Sequence, residues 1–196
     1  MDIVARVQAV LLKPKEEWVK IKAEPSTVTD LFTSYAMILA AIPAVCQFLG
    51  NILVGRRLPM VGVFRWPLGR AFGNAVVSYV FALVTVYLFA LIINELAPNF
   101  GSAKNMTSAL KLSVYSMTPG WVAGVLYIIP GLWILGVLAS LYGLYILYLG
   151  FDTPMMETPK DKVVGYMAVS IVVVIVLYVV FTWILGGIFA VRYGRI

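Results

Sequence analysis

Few side chains in this sequence are equipped for chemistry. The 196 residues include no histidine, which excludes imidazole acid–base catalysis, histidine metal ligation and Ser-His triads outright. The single cysteine, Cys46, lies in the middle of an apolar run and has no partner for an internal disulfide. A cysteine so placed behaves as a small buried hydrophobe. There is no Walker loop, no GxGxxG and no clustered set of Cys ligands. No catalytic, cofactor-binding or metal-ligating residue is assigned, and the chain is read as a non-enzyme.

The remaining polar side chains lie in or beside apolar runs. Glu95, next to Asn94, and Asp152 fall at the edges of such runs. An acid deep in a membrane marks a proton relay or ion site, but one at an edge is expected to be solvated or to cap a helix. Gln47 and Asn51 stand one helical turn apart and share a face, and Asn74 is the third candidate. Their spacing suits an interhelical hydrogen bond better than a transport path. Tyr142, Tyr145 and Tyr148 recur every third residue, and such hydroxyls either line a polar path or bond to neighbouring helices. Arg56, Arg57, Arg65 and Arg70 gather beside Phe64 and Trp66 with no acid among them. A guanidinium pairs with phosphate as a fork, so these four are candidate lipid-headgroup contacts. Ordinary interfacial anchoring by Arg and Trp is the alternative.

Long uncharged segments must position these groups. Leu112–Phe151 runs forty residues without a charge, twice the roughly 20 residues that cross a hydrocarbon core about 30 Å thick. Ile128-Ile129-Pro130-Gly131 breaks it near the middle, so it reads as a hairpin of two spans. Leu31–Gly55, Ala71–Asn94 and Val163–Val191 are also uncharged. The chain is 62% hydrophobic and 12% charged, with mean hydropathy +0.95, against about 25% charged residues in a soluble domain. Backbone polar groups in lipid must be paired internally, and the runs lack the alternation of a β-barrel, so they are helices. The expected fold is all-α: a polytopic membrane bundle of five transmembrane helices over about 31–55, 71–96, 110–129, 131–150 and 160–190. A short amphipathic N-terminal segment (1–30) precedes them in one membrane-embedded domain.

That N-terminal segment lacks the pattern of a signal peptide. Ile3, Val7, Val10 and Leu11 recur at helical spacing, with Asp2 placed to cap. Pro14 opens a second helix to Ala23, with Glu16 and Glu17 in its first turn and Lys20 and Lys22 in its last, matching the macrodipole. Trp18 and Ile21 share its apolar face. This face dips into the headgroup boundary, packs on the protein's own cytoplasmic face, or does both. Five basic and five acidic residues balance over 1–30, so this is not a polybasic lipid anchor. In the link Phe151–Lys162, Thr158, Pro159 and Asp161 read as N-cap, N1 and N3 of the last span.

Small residues mark the expected packing faces: Ala36 and Ala40, Gly120 and Gly124, Gly136 and Ser140, Ala139 and Gly143. Gly136, Gly143 and Gly150 recur every seven residues. Pro43 and Pro119 interrupt the first and third spans, with Ser116 and Thr118 able to satisfy freed carbonyls. With the N-terminus inside, inner segments carry nine basic residues and outer ones six, which favours a cytoplasmic N-terminus and an outward C-terminus.

In order and spacing, LLKPKEEW, YAMILAAIPAVCQFLG, YSMTPGWVAGVLYIIPGLW and LYGLYILYLGF resemble the bacterial branch of the Yip-domain family, the Ypt/Rab-interacting-protein-like integral membrane proteins. The resemblance covers essentially the whole chain. It implies a small inner-membrane protein; eukaryotic members act in vesicle trafficking and membrane shaping with small GTPases. Those members carry an acidic-aromatic-Gly-Pro motif before the first span, where this chain has Asp30-Leu31-Phe32-Thr33-Ser34 without the Gly-Pro. No GTPase-contact residue carries over. The expected role is non-enzymatic organisation of membrane or partner proteins, with a small oligomeric transporter or channel as the alternative. Expected partners are membrane lipids, with partner proteins or further copies of the chain; nothing resembles a nucleic-acid module.

Overall fold

The computed structural model describes residues 2–58, 62–153, 155–176 and 179. Helix α1 (Ile3–Leu12) starts where Asp2 accepts from the backbone N–H groups of Val4 and Ala5. Helix α2 (Pro14–Ala23) begins at Pro14, as expected. The first apolar run forms α3 (Val28–Val54), a 27-residue helix. It opens on a capping box between Thr27 and Asp30, so Asp30 helps cap this helix. π-helical turns occupy Phe32–Ala36 and Gly50–Val54, and the helix continues through Pro43.

Gly55, at φ +75, ends α3 in a conformation that L side chains rarely adopt. The arginine-rich loop that follows contains an element outside the all-helical expectation. Strands β1 (Arg56–Leu58) and β2 (Gly62–Phe64) pair antiparallel with Arg56 opposite Phe64. Helix α4 (Leu68–Leu96) returns across the bundle and ends in the 3-10 turn Ala97–Phe100. Helices α5 (Met106–Ala123) and α6 (Trp133–Asp152) form the expected hairpin, joined through short 3-10 turns at Gly124–Ile128 and Pro130–Leu132. Helix α7 (Val163–Val176) follows.

Three segments are long and apolar enough to cross a membrane: Val28–Val54, Leu68–Phe100 and Pro130–Asp152. Helix α5 is shorter and less apolar because of its position. It packs against α3, α4 and α6 and buries Leu110, Leu112, Val114, Tyr115 and Trp121. Neighbours rather than lipid surround it, so it tolerates buried Lys111, Ser113, Ser116 and Thr118, each of which has a hydrogen-bond partner. The two hydroxyls expected to answer Pro119 bond elsewhere: Ser116 donates to the Ser113 carbonyl and Thr118 pairs with Tyr35.

The glycine stripe of α6 is its packing seam. Gly143 lies against the Ser116 carbonyl of α5, Gly136 against the Tyr127 ring, and Gly150 against Leu112 and Trp18. On α5, Gly120 meets Ser140 of α6 while Gly124 meets Pro43 of α3, so one small-residue pair serves two neighbours. Helix α7 is fixed by Tyr166, which donates to the Ile93 carbonyl and stacks on Phe100 at 4.8 Å. It starts at Val163, later than the sequence signals place it. The Thr158 hydroxyl accepts from Ser102 at 2.8 Å instead of capping a helix, and Pro159 begins a turn. The expected last span beyond Val176 falls largely outside the described residues.

Candidate functional site

The N-terminal helices are fastened to the bundle by a buried ionic cluster. Arg6, 8% exposed, faces inward from α1 beside Val10. Its guanidinium donates to Glu17, itself 4% exposed, and to Glu24 at 2.5 Å. Burial works against the Arg6 charge, but the hydrogen bond to Glu24 and the charges of Glu17 and Glu24 outweigh it and hold the group above its ordinary value. Lys111 of α5 completes the cluster. Its ammonium donates to the Ile21 carbonyl at 2.7 Å and the Glu24 carbonyl at 2.6 Å, which satisfies the end of α2 and opposes its dipole.

An aromatic layer lies beneath these charges. The Tyr115 ring is 5.9 Å from the Arg6 guanidinium and packs edge-on with Trp18 at 6.0 Å and Tyr35 at 4.9 Å. Trp18 is 1% exposed, and its indole N–H donates to the Ile146 carbonyl at 2.9 Å. Of the two readings of the α2 apolar face, the structure takes packing on the protein itself. Tyr142 donates to the Leu11 carbonyl at 2.8 Å, pairing one of the orphan carbonyls that end α1. Contacts at positions 142, 146 and 150 thus bind α1 and α2 along α6 at four-residue intervals. Tyr142, Tyr145 and Tyr148 are 37%, 44% and 36% exposed, so they flank the bundle rather than line an internal path.

A second polar locus lies at the other end of the bundle. Asn74 donates to Gln47 Oε1 at 3.1 Å, joining α4 to α3. The expected interhelical bond is there, with Asn74 as the partner. Gln47 and Asn51 share a face, and with Tyr127, Pro130, Trp133 and Val137 they line a cavity of about 210 Å³. A second cavity of about 330 Å³ shares Gln47 and Tyr127 and reaches Ser78, Trp121 and Ser140. Asn51 is 2% exposed, and its backbone carbonyl accepts from the Trp66 N–H at 3.1 Å.

The arginine-rich loop is therefore tied to this same end. Arg70 lies 4.6 Å over the Trp66 ring and Arg65 is exposed. Arg56 and Arg57 belong to β1, and their side chains fall outside the described part of the structure. Glu95 is exposed and pairs with Lys104 at 2.5 Å, and Asp152 is exposed, so both are edge carboxylates as their positions imply. Cys46 is half-buried. Among the described residues no group of three or more His, Cys, Asp or Glu could hold a metal ion.

The Arg6 cluster was hidden in the sequence. Its members are 7 to 105 positions apart, and the charges of Arg6, Glu17 and Glu24 vanish into the neutral balance of residues 1–30. The one legible signal was Lys111, a lone cation at the edge of an uncharged run.

A bundle of long apolar helices, with several buried polar side chains paired across helices, defines a polytopic helical membrane protein. The chain belongs to the Yip1 domain family, whose model matches residues 9–184. It is similar to the inner membrane protein YohC of Escherichia coli K12, and to the protein of that name in strain CFT073 of serotype O6:H1. Each is 25% identical over 127 residues, so the match covers 65% of this chain and 65% of each relative, just under two thirds. No solved structure matches the chain.

Proposed function

We propose that this protein is a non-enzymatic organiser of the bacterial inner membrane, which holds lipids and partner proteins around a fixed helical platform. Membership of the Yip1 domain family and similarity to proteins named for the inner membrane support that setting. In this reading five spans cross the bilayer, with the N-terminus cytoplasmic and the arginine-rich loop outside; the arginines meet phospholipid headgroups there. A C-terminal reporter active only in the cytoplasm would overturn the orientation.

The carrying observation is the buried Arg6–Glu17–Glu24–Lys111 cluster. It makes two amphipathic helices a rigid part of the membrane domain while their outer side chains Val4, Leu12 and Val19 remain 61%, 78% and 62% exposed. Apolar side chains presented by helices that cannot detach suit insertion beside lipid headgroups or contact with a partner helix. Purified protein reconstituted into liposomes is expected to change vesicle shape or to capture specific partner proteins. Loss of both would remove the reading.

The cavities at Gln47 and Tyr127 favour one second reading, a small transporter. Flux of a polar solute in proteoliposomes, abolished by Gln47→Leu, would promote it. Tyr145 lies on the outside of α6 and lines neither cavity.

A further inference from the structure

The two cavities differ from ordinary packing gaps in their lining. Deep in a bundle built of Leu, Val and Ile, they collect the carboxamides of Gln47 and Asn51, the hydroxyls of Tyr127 and Ser78, and the Trp121 indole. Among the described residues the Asn51 carboxamide makes no hydrogen bond although the residue is 98% buried, and the Tyr127 hydroxyl and Trp121 N–H make none either. These polar atoms are open to the cavity rather than sealed from it, so the lining suits an occupant that accepts hydrogen bonds. Among the described residues no charged side chain lines either cavity. An ion would lose its hydration with no counter-charge in return, which leaves neutral acceptors such as ester carbonyls.

The position of the opening narrows the occupant. The smaller cavity is walled by Trp133, 60% exposed, and Val137, 46% exposed, on the outer face of α6, so its mouth faces sideways, toward lipid. It lies beside the Pro130 turn, and the Trp66–Asn51 backbone bond brings the arginine-rich loop to the same end. Neutral donors therefore lie inside the cleft, and Arg65 and Arg70 belong to the loop tied to its end through Trp66.

The geometry points to a site for one glycerophospholipid. Its phosphate is held by Arg65 and Arg70, its ester carbonyls accept from Asn51 and Tyr127, and its acyl chains leave past Trp133 and Val137. This site deepens the organiser reading and rests on it: a lipid bound in a defined place is how a fixed bundle would select its surroundings.

Native mass spectrometry of delipidated protein in detergent, titrated with phosphatidylglycerol, tests the site. One lipid per chain should survive detergent removal. Tyr127→Phe, which keeps the ring against Gly136, and Asn51→Leu should each weaken retention about tenfold, the value of one hydrogen bond of ordinary strength. Tyr148→Phe, on the flank of α6, should retain lipid like the wild type. Equal retention by Tyr127→Phe and wild type, or equally tight binding of soluble glycerol phosphate, would overturn the proposal. So would polar-solute flux that depends on Gln47. Retained lipid with unchanged vesicle shape would count against the organiser role alone, whereas vesicle remodelling with lipid retention indifferent to Asn51 would count against the site alone.

Discussion

The Trp18 indole fills the space that a side chain at position 150 would need. A Cβ built on Gly150 would lie 2.7 Å from Trp18 Cζ2, and the Trp18 N–H reaches the Ile146 carbonyl one turn earlier. The missing side chain in α6 and the buried tryptophan in α2 are two halves of one joint. Trp18→Ala should cost about 3–5 kcal/mol through lost burial and the cavity it leaves. Gly150→Leu should free the N-terminal helices without unfolding the bundle, because the other close atom, Leu112 Cδ2 at 2.5 Å, is the end of a flexible side chain and can turn aside. Limited proteolysis, with cleavage of the Gly150→Leu protein confined to residues 1–27, would register that difference; resistance equal to wild type would count against the joint.

Arg6 and Glu17 are both nearly excluded from solvent, so removing one partner should be worse than removing both. Arg6→Met should destabilise the protein by about 3 kcal/mol, the low end of the cost of breaking a buried pair, because Glu17 keeps only the exposed Lys20 as partner. Arg6→Met combined with Glu17→Leu should recover most of that loss. Thermal unfolding in detergent for the two singles and the double gives the coupling energy directly; additive losses would mean that the pair is not coupled.

Glycines in this chain divide by what surrounds them. A Cβ at Gly124 would lie 2.6 Å from Pro43 Cβ, whereas one at Gly73 meets nothing within 4 Å. Gly124→Ala should therefore force α5 and α3 apart and lower the melting temperature. Gly73→Ala, in a helix interior with free space, should raise stability by about 0.5–1 kcal/mol. Opposite signs in the same melting assay are the expected outcome.

The Asn74–Gln47 bond is a hydrogen bond inside a membrane bundle, a class whose coupling averages about 0.6 kcal/mol. A double-mutant cycle over Gln47→Leu and Asn74→Leu should give a coupling near that size. A coupling of zero would place the functional weight of Gln47 on its cavity rather than on its helix partner.

Much of this architecture was legible in residue order alone. The Pro130-Gly131 break, the Asp2 cap, the Pro14 start and the seven-residue glycine stripe are local signals, and each is used where its spacing implied. The centrality of α5 was less visible, because its Lys111, Ser113 and Ser116 read as the edge of a span when they are the interior of a bundle. Thr158 misled for a related reason: its cap signature is local, but a hydroxyl from Ser102, 56 positions away, claims it. Of the Arg6 cluster only Lys111 was legible, since ion pairs across folded helices leave no periodicity.

Cryo-electron microscopy of proteoliposomes most directly tests whether this protein organises membrane through its fastened N-terminal helices. Wild-type protein is expected to shift vesicles toward smaller or more strongly curved forms, and Gly150→Leu, which releases those helices, to leave vesicles like protein-free controls. Wild-type vesicles indistinguishable from the controls, or remodelling that persists in Gly150→Leu, would contradict it.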